Sequence, residues 1–339
     1  MAFRDRVARR LGMPRGKRHL LHVVGTRLEI GVFNVQWLEY RWQLFETLAL
    51  SSIDAQSEKD FTWVLGIDRD MPQSFRERLD ELAAARPWIR LLELELLDDF
   101  ESEFKQWCLK EAEAKGRPPV LTTRIDNDDA VHRELFGEIR RAACELLANG
   151  SALPAAITAV SGYQWVPATG HGYRAYHHSH SIGTSLLESF DAFTSVYGKN
   201  HRRIPDWVVE RDGSVRHLGG DTRWWLYATT ATSLVLLRTG KGLRDGTVAN
   251  PGAHELAAKT LRAFGVDAAG GLRDIDEPVL AERHVDLVDQ GKAVDRDIKR
   301  VRAQIRQLRK AGERADTELL AKRQELHDRR KELARAWVA

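Results

Sequence analysis

The sequence predicts an α/β protein, with a mostly parallel sheet flanked by helices and a helical hairpin at its C-terminal end. Three observations point there. Apolar, β-favouring runs alternate with amphipathic helical stretches through the first third of the chain. The fourth such run, Val120 to Ile125, empties into the carboxylates Asp126, Asp128 and Asp129. From about Glu277 the chain turns strongly charged, with apolar residues stepped by four and three.

The alternation starts with His19 to Thr26, a buried first strand. Trp37 to Ser52 follows as a helix, because Trp37, Arg41, Leu44, Phe45 and Leu48 fall three or four apart. Phe61 to Ile67 is a second strand closing on Asp68, Phe75 to Ala85 a helix, Ile89 to Leu97 a third strand and Phe100 to Ala114 a helix. Pro118-Pro119 then introduces the strand into Asp126. Right-handed crossovers would line up Thr26, Asp68 and Asp126 along one edge, at the C-terminal ends of their strands, where open α/β sheets hold ligands. Val131 to Ala148 reads as the next helix, ended by Asn149-Gly150.

Beyond this the character changes. Ile157 to Val166 and Tyr173 to His178 read as strands around a Gly170-His171-Gly172 turn, and Ser185 to Phe190 and Phe193 to Tyr197 follow. Trp224 to Leu237 is a long apolar segment of undecided type. Val294, Ile298, Val301, Ile305 and Leu308 form a heptad seam, Gly312 breaks it, and Leu319, Leu326 and Leu333 continue seven apart. Such a pair favours an antiparallel hairpin, packed on the body or on a second subunit as a homo-oligomer. The expected organisation is a basic arm over 1–18, a main domain over 19–245 and a C-terminal helical region over 246–339 with its hairpin at about 278–337.

With 43% hydrophobic and 30% charged residues, the 339-residue chain suits a soluble globular protein. No apolar run approaches the roughly 20 residues needed to cross a bilayer, and the start lacks the apolar core of a secretory signal. A cytoplasmic protein is the expectation, with Cys108 and Cys144 as free thiols. Net charge is only +3, but Arg4, Arg6, Arg9, Arg10, Arg15, Lys17 and Arg18 crowd the start, with Phe3, Val7 and Leu11 at helical spacing among them. That arm is either a solubilising tail or a peripheral contact with an anionic membrane, at the inner face of the cell membrane. No nucleic-acid motif is present, and nucleic acid is not expected as a partner.

Three carboxylates between positions 126 and 129 repel one another and are tolerated where a divalent cation or an arginine neutralises them. The bland reading is a solvated loop capping the next helix through Asp129. His171, His177, His178 and His180 lack the His-Glu-x-x-His arrangement of a zinc site, and adjacent histidines on a strand point apart.

With strand, carboxylates and edge in place, the sequence resembles the rhamnosyltransferase family of GT-A glycosyltransferases over roughly residues 20 to 240. Thr123-Arg124-Ile125-Asp126-Asn127-Asp128-Asp129 resembles its Thr-Arg-x-Asp-x-Asp-Asp signature, the most specific piece. Thr26-Arg27 after the first strand, Arg41 through Trp63, and Ser185-Leu186-Leu187-Glu188 with Thr194, Val196-Tyr197 and His201 resemble its other blocks in order. Two departures stand out: Leu28-Glu29 replaces the family's Phe-Asn, and Tyr227-Ala228-Thr229-Thr230 replaces a His-Gly-x-Asn segment.

The resemblance implies a GT-A-like, Rossmann-type sheet and a metal-dependent glycosyltransferase. It would move a sugar, rhamnose by the family's name, from a nucleotide-sugar donor to a glycan or glycolipid acceptor. Mn²⁺ or Mg²⁺ would neutralise the departing diphosphate, and hard cations take carboxylate oxygens. Asp128 is assigned to the metal and Asp126 to the metal or the ribose, with His201 standing in for the missing histidine. Thr26, Arg27, Asp68 and Arg124 would meet the nucleotide, although Arg124 could instead pair with Asp126 and Asp68 could be an ordinary turn residue. Glu188 is the candidate base for the acceptor hydroxyl, with Asp191 and Asp206 as competitors. Trp207 is the acceptor candidate, against the commoner fate of tryptophan as core. Two other readings use the same features: a non-catalytic scaffold that dimerises through the hairpin, and a metal-dependent phosphohydrolase.

Overall fold

The protein's computed structural model describes residues 20–32, 35–177, 181–230, 252–267 and 277–335. The basic arm, His178, His180 and the stretch 231–237 lie outside the described residues.

The strand β1 (Leu21–Leu28) leads into helix α1 (Val35–Leu44), which runs on through a π-helical turn (Phe45–Leu50) and Ser51–Asp54. Next come β2 (Thr62–Asp68), α2 (Gln73–Ala85), β3 (Ile89–Leu94), α3 (Phe100–Ala114) and β4 (Val120–Arg124). The four strands pair in parallel, with β1 between β2 and β4 and with β3 outside β2. Covered by helices on both faces, they read as near-continuous apolar runs, and Val23, Val24, Val64, Leu65, Val120 and Leu121 are all buried. Gly66 lets α3 approach β2: a Cβ there would stand 2.4 Å from the Phe100 ring. The expected boundaries hold within a few residues, and Phe100–Ala114 matches at both ends.

After the carboxylates the chain changes sheets. β5 (Ala130–Val131) pairs with a later strand, so the helix expected from Val131 begins only at Leu135, as α4 (Leu135–Ala148). The single strand expected over Ile157 to Val166 is two, β6 (Ala155–Ala159) and β7 (Ser161–Val166), which break at Val160 and enter different sheets. β8 (His171–Tyr176), β9 (Ser185–Glu188), helix α5 (Ile204–Val209), β10 (Ser214–Leu218), β11 (Trp225–Ala228), β12 (His254–Glu255) and α6 (Ala258–Ala263) complete the body. The main sheet has the order β10-β6-β9-β4-β1-β2-β3, and β9 runs antiparallel to both its neighbours. The second sheet has the order β12-β8-β7-β11-β5. Segment 125–129 therefore bridges the two sheets. Phe193 to Tyr197, expected as a strand, is a loop with Ser195 at φ +77°.

The C-terminal hairpin is α7 (Glu277–Lys310) and α8 (Thr317–Arg335), with Gly312 at φ +76° in the turn. Val294, Ile298, Val301 and Ile305 of the seam are buried within this one chain, and Val294 and Ile298 cluster with Leu96 of the body. Val294 and Ile298 of the seam thus pack on the body, whereas Leu308 and Leu319, further along the hairpin, are only half-buried. Ion pairs line the contact: Arg302 to Asp99 (2.8 Å), Arg323 to Glu95 (3.2 Å) and Arg330 to Asp68 (2.8 Å). The first two are only half-buried, and pairs that water still reaches contribute little. Arg330–Asp68 differs, because the arginine side chain is 6% exposed and the aspartate 0%.

Removing one partner of such a pair strands a buried charge, so Arg330→Ala should cost about 3–5 kcal/mol in urea unfolding, and Arg330→Met with Asp68→Asn should recover only part of it, because an amide accepts from one of Gly31 N and Asp70 N but not from both. A second expectation concerns His22 on β1. Burial, with help from Arg140, lowers its imidazole to about 3, and its Nε2 meets Thr123 Oγ1 at 2.9 Å. The unfolded chain takes up this proton below about pH 6.5 while the folded one stays neutral. Stability from this group is therefore complete above about pH 6.5 and drains away as pH falls toward 3, by up to ~1.4 kcal/mol per pH unit. His22→Leu should flatten that slope in urea midpoints measured across the window.

Candidate active site

The C-terminal ends of β1, β2 and β4, the 125–129 bridge and the end of β11 meet at one edge. On the bridge, Asp126 and Asp128 remain partly accessible, with side chains 30% and 22% exposed, whereas Asp129 is buried. Arg124 Nη2 donates to Asp126 Oδ1 at 3.0 Å, and the Ser181 hydroxyl also bonds this carboxylate. Burial pushes the Asp126 carboxyl up, but Arg124 and Arg27 outweigh it and hold the group below the ordinary aspartate range. Asp128 goes the other way: burial, with Asp126 and Glu29 nearby, raises it despite Arg41. Asp129 is raised further, by burial and by its two acidic neighbours.

Asp128 hangs from a buried polar clamp. Arg41 Nη1 donates to Asp128 Oδ2 at 3.0 Å, Nη2 to Asn127 Oδ1 at 2.7 Å and Nε to Glu29 Oε1 at 2.7 Å. Glu29 Oε1 also accepts from Asn127 Nδ2 (2.8 Å) and Oε2 from Trp37 Nε1 (2.9 Å). Glu29 sits at φ +44°, in the left-handed region a glutamate seldom adopts. Among the described residues no hydrogen bond is made to Asp128 Oδ1, and the side chain is 22% exposed. Asp129 does not cap a helix: its Oδ1 accepts from Ala228 N at 3.1 Å and ties β11 to the bridge, while its buried Oδ2 has no hydrogen-bond partner.

The arginines expected at the nucleotide are at this edge. Arg124 and Arg27 place their guanidinium carbons 5.5 and 5.8 Å from the centre of the Tyr197 ring, and the Tyr197 hydroxyl donates to Gly25 O at 2.6 Å. Arg124 also makes the pair with Asp126 that its simpler reading allowed. His201 opens a short 3₁₀ turn (His201–Arg203) within the field of Arg124, Asp126 and Arg27. Burial and Arg124 lower its imidazole to about 4, so it is neutral near pH 7. The three-ligand centre expected from Asp126, Asp128 and His201 is not assembled, since no group of three or more such side chains converges among the described residues. Two partly accessible carboxylates are a donor set that suits a hard cation whose shell is completed by phosphate and water.

Other expectations are corrected by geometry. Thr26 does not line a base pocket. It is fully buried, its hydroxyl donating to Ile125 O and accepting from Trp63 Nε1, both at 2.9 Å, which stitches β2, β1 and β4 together. Asp68 ends β2 as expected but faces no opening, for it accepts from Gly31 N (2.9 Å), Asp70 N (2.9 Å) and Arg330 (2.8 Å).

Glu188 is at the wrong end of the sheet for a base. β9 runs antiparallel to β4, so Glu188 lies opposite Val120, the start of β4, while the aspartates follow its end. Its carboxylate accepts from Thr194 N and Oγ1 and from Ser195 N, clamping the 194–195 loop. Its competitors Asp191 and Asp206 are exposed, and Asp206 lies on α5 within 3.8 Å of Arg203. Trp207 packs against the cluster of Ala156, Leu186, Val196, Ile204 and Val208, with the Arg211 guanidinium 4.4 Å over its ring, so its face is not open to an acceptor. His171 and His177 are exposed at opposite ends of β8.

Sequence reasoning missed Tyr227. It stands where the His-Gly-x-Asn segment was expected, half-buried within the field of Asp129, Asp128 and Asp126, and burial and those carboxylates push its phenol up. The departure from the family pattern was the available signal.

Comparison with known proteins agrees with the sequence motifs. A profile of the family described as "Putative rhamnosyl transferase" matches residues 26–211, more than half of the chain. No curated protein matches. Among solved structures, S. aureus TarS 1–349 in complex with UDP is similar at 12% identity and a TM-score of 0.38, covering 62% of this chain and 61% of that one. A structure described as "Putative Glucose-1-Phosphate Thymidylyltransferase from Bacillus anthracis" aligns at 11% identity and a TM-score of 0.37, covering 68% of this chain and 98% of that one. A nucleotide-diphospho-sugar transferase from Desulfovibrio desulfuricans aligns at 12% and 0.32, covering 67% and 91%. The family match spans the first strand's Thr26, the Arg41 clamp, the carboxylate bridge and His201, and on that match the chain belongs to the rhamnosyl transferase family of glycosyltransferases.

Proposed function

We propose that this glycosyltransferase moves a sugar, rhamnose by the family's name, from a nucleoside diphosphate to a glycan or glycolipid acceptor, with Mn²⁺ or Mg²⁺ held by Asp126 and Asp128. The observation that carries the reading is Asp128 itself. One oxygen is tied to Arg41 and, among the described residues, the other accepts no hydrogen bond, on a carboxyl that burial and acidic neighbours push above its ordinary range. A cation at that point relieves the repulsion and, when bound, supplies positive charge to the departing diphosphate.

The chain's own residues supply the rest of the pocket. Arg124 and Arg27, steadied over Tyr197, present planar donors suited to phosphate oxygens. Neutral His201 adds a hydrogen-bonding ring without adding charge. Tyr227, kept as a phenol, adds a polar ring from the second sheet within the field of the three carboxylates. The clamp at Glu29 and the bond from Ala228 to Asp129 hold the bridge from both sides. A glycolipid acceptor would bring the chain to a membrane surface, with the basic arm over 1–18 as its contact with anionic lipid. Among the described residues no helix is long and apolar enough to cross a membrane.

Asp128→Ala should lower Mn²⁺-dependent transfer from a panel of sugar nucleotides by about 10³-fold. Its thermal melting should barely move, because Arg41 keeps Glu29 and Asn127. Glu188→Gln should do the reverse, lowering the melting temperature while kcat stays within a few-fold. Equal transfer by wild type and Asp128→Ala would remove the cation assignment.

A further inference from the structure

Glu29 departs from the family pattern, adopts a backbone conformation that costs a glutamate energy, and nevertheless has both carboxylate oxygens hydrogen-bonded, its side chain 12% exposed. Strain of this kind persists where surroundings over-determine it, and here they do. Trp37 fixes one carboxylate oxygen; Arg41 and Asn127 share the other. With Nε held by Glu29, the planar guanidinium has a single orientation left, and its Nη1 and Nη2 are aimed at Asp128 and Asn127. Burial alone would push Glu29 up, but Arg41, Trp37 and Asn127 keep it below the ordinary glutamate range, so the network is held by charge.

We propose that Glu29, acting through Arg41, is the positioning residue of the cation site: it fixes Asp128 by Oδ2 and so selects Oδ1 as the oxygen presented to the cation. This rests on the cation reading given above. Glu29 itself touches no reacting atom. Without it the Arg41 fork is free to turn and to take both oxygens of Asp128 as a bidentate pair, which would close the site. The structure therefore assigns to Glu29 the task of limiting Arg41 to one oxygen.

The test uses the full chain and Mn²⁺ as probe, with UDP, dTDP and GDP each added in turn, and reads bound Mn²⁺ by electron paramagnetic resonance. Glu29→Gln removes the charge and turns an amide donor toward either Trp37 or Arg41. Glu29→Asn suits the left-handed backbone better but is too short for the network. Both should weaken Mn²⁺ binding about tenfold at temperatures well below melting. Arg41→Lys keeps charge without the fork and should match them. The double variant Glu29→Gln/Arg41→Lys should be no weaker than the worse single one, as expected of one coupled unit. Asp128→Ala should abolish binding. If the Glu29 variants bind Mn²⁺ like wild type while Asp128→Ala does not, the positioning role is overturned and the cation reading stands. If Asp128→Ala binds like wild type, or wild type binds no Mn²⁺ with any of the nucleotides, the cation reading falls and the role of Glu29 with it.

Discussion

Glu29, Asp126, Asp128 and Asp129 gather at one strand edge, all largely removed from water, and the architecture around them is arranged to keep that much negative charge in one place. Arg41 and Arg124 each take a share, and each binds a different aspartate. Compensation is uneven: Asp126 is held ionised, Asp128 is left above its ordinary range, and Asp129 is pushed further up. Two internal arginines could have closed the edge entirely. In the structure Arg41 bonds Glu29 through Nε and only one oxygen of Asp128 through Nη1. A family signature of three acids in four residues thereby becomes a graded set.

The bridge from β4 to β5 also explains why the two sheets belong to one functional unit. Main-sheet strands supply Arg27 and Arg124 from the ends of β1 and β4, and the second sheet supplies Tyr227 and the Ala228 amide from β11. On the other side, Asp68 is taken out of the site by Arg330 of the C-terminal hairpin. The same carboxylate accepts from Gly31, two residues past Glu29. Glu29 and Gly31, just after β1, are therefore both held, the first by the Arg41 network under the bridge and the second by Asp68 under the hairpin. Hairpin docking and site geometry are mechanically continuous through these few residues.

Much of the main sheet was legible in the sequence because buried parallel strands read as unbroken apolar runs, and the spacing of Phe100, Phe104, Cys108 and Ala112 marks one buried helix face. The carboxylate edge was legible for the same reason, since Asp126 directly follows such a run. Ala130–Val131 could not be read as a strand, because two residues carry no period. Glu188 was misplaced because nothing local says that β9 enters the sheet reversed, and its direction decides which end the carboxylate occupies. Thr26 and Asp68 were placed on the correct edge, but their partners lie far away in the chain: Trp63 and Ile125 for the threonine, Arg330 for the aspartate. Glu29 was visible only as a departure from a family pattern, and its meaning required Arg41 and Asn127 to be brought beside it.

The central claim is that the Asp126–Asp128 edge takes a divalent cation together with a nucleoside diphosphate. Its most direct test is an anomalous difference map from crystals of the full chain grown with Mn²⁺ and whichever nucleoside diphosphate raises its melting temperature most. The account requires a peak about 2.1 Å from Asp128 Oδ1, with diphosphate oxygens completing the shell and the Arg41–Asp128 bond through Oδ2 intact. A nucleotide bound with no metal at that oxygen, or Arg41 clasping both oxygens of Asp128 in the complex, would contradict it.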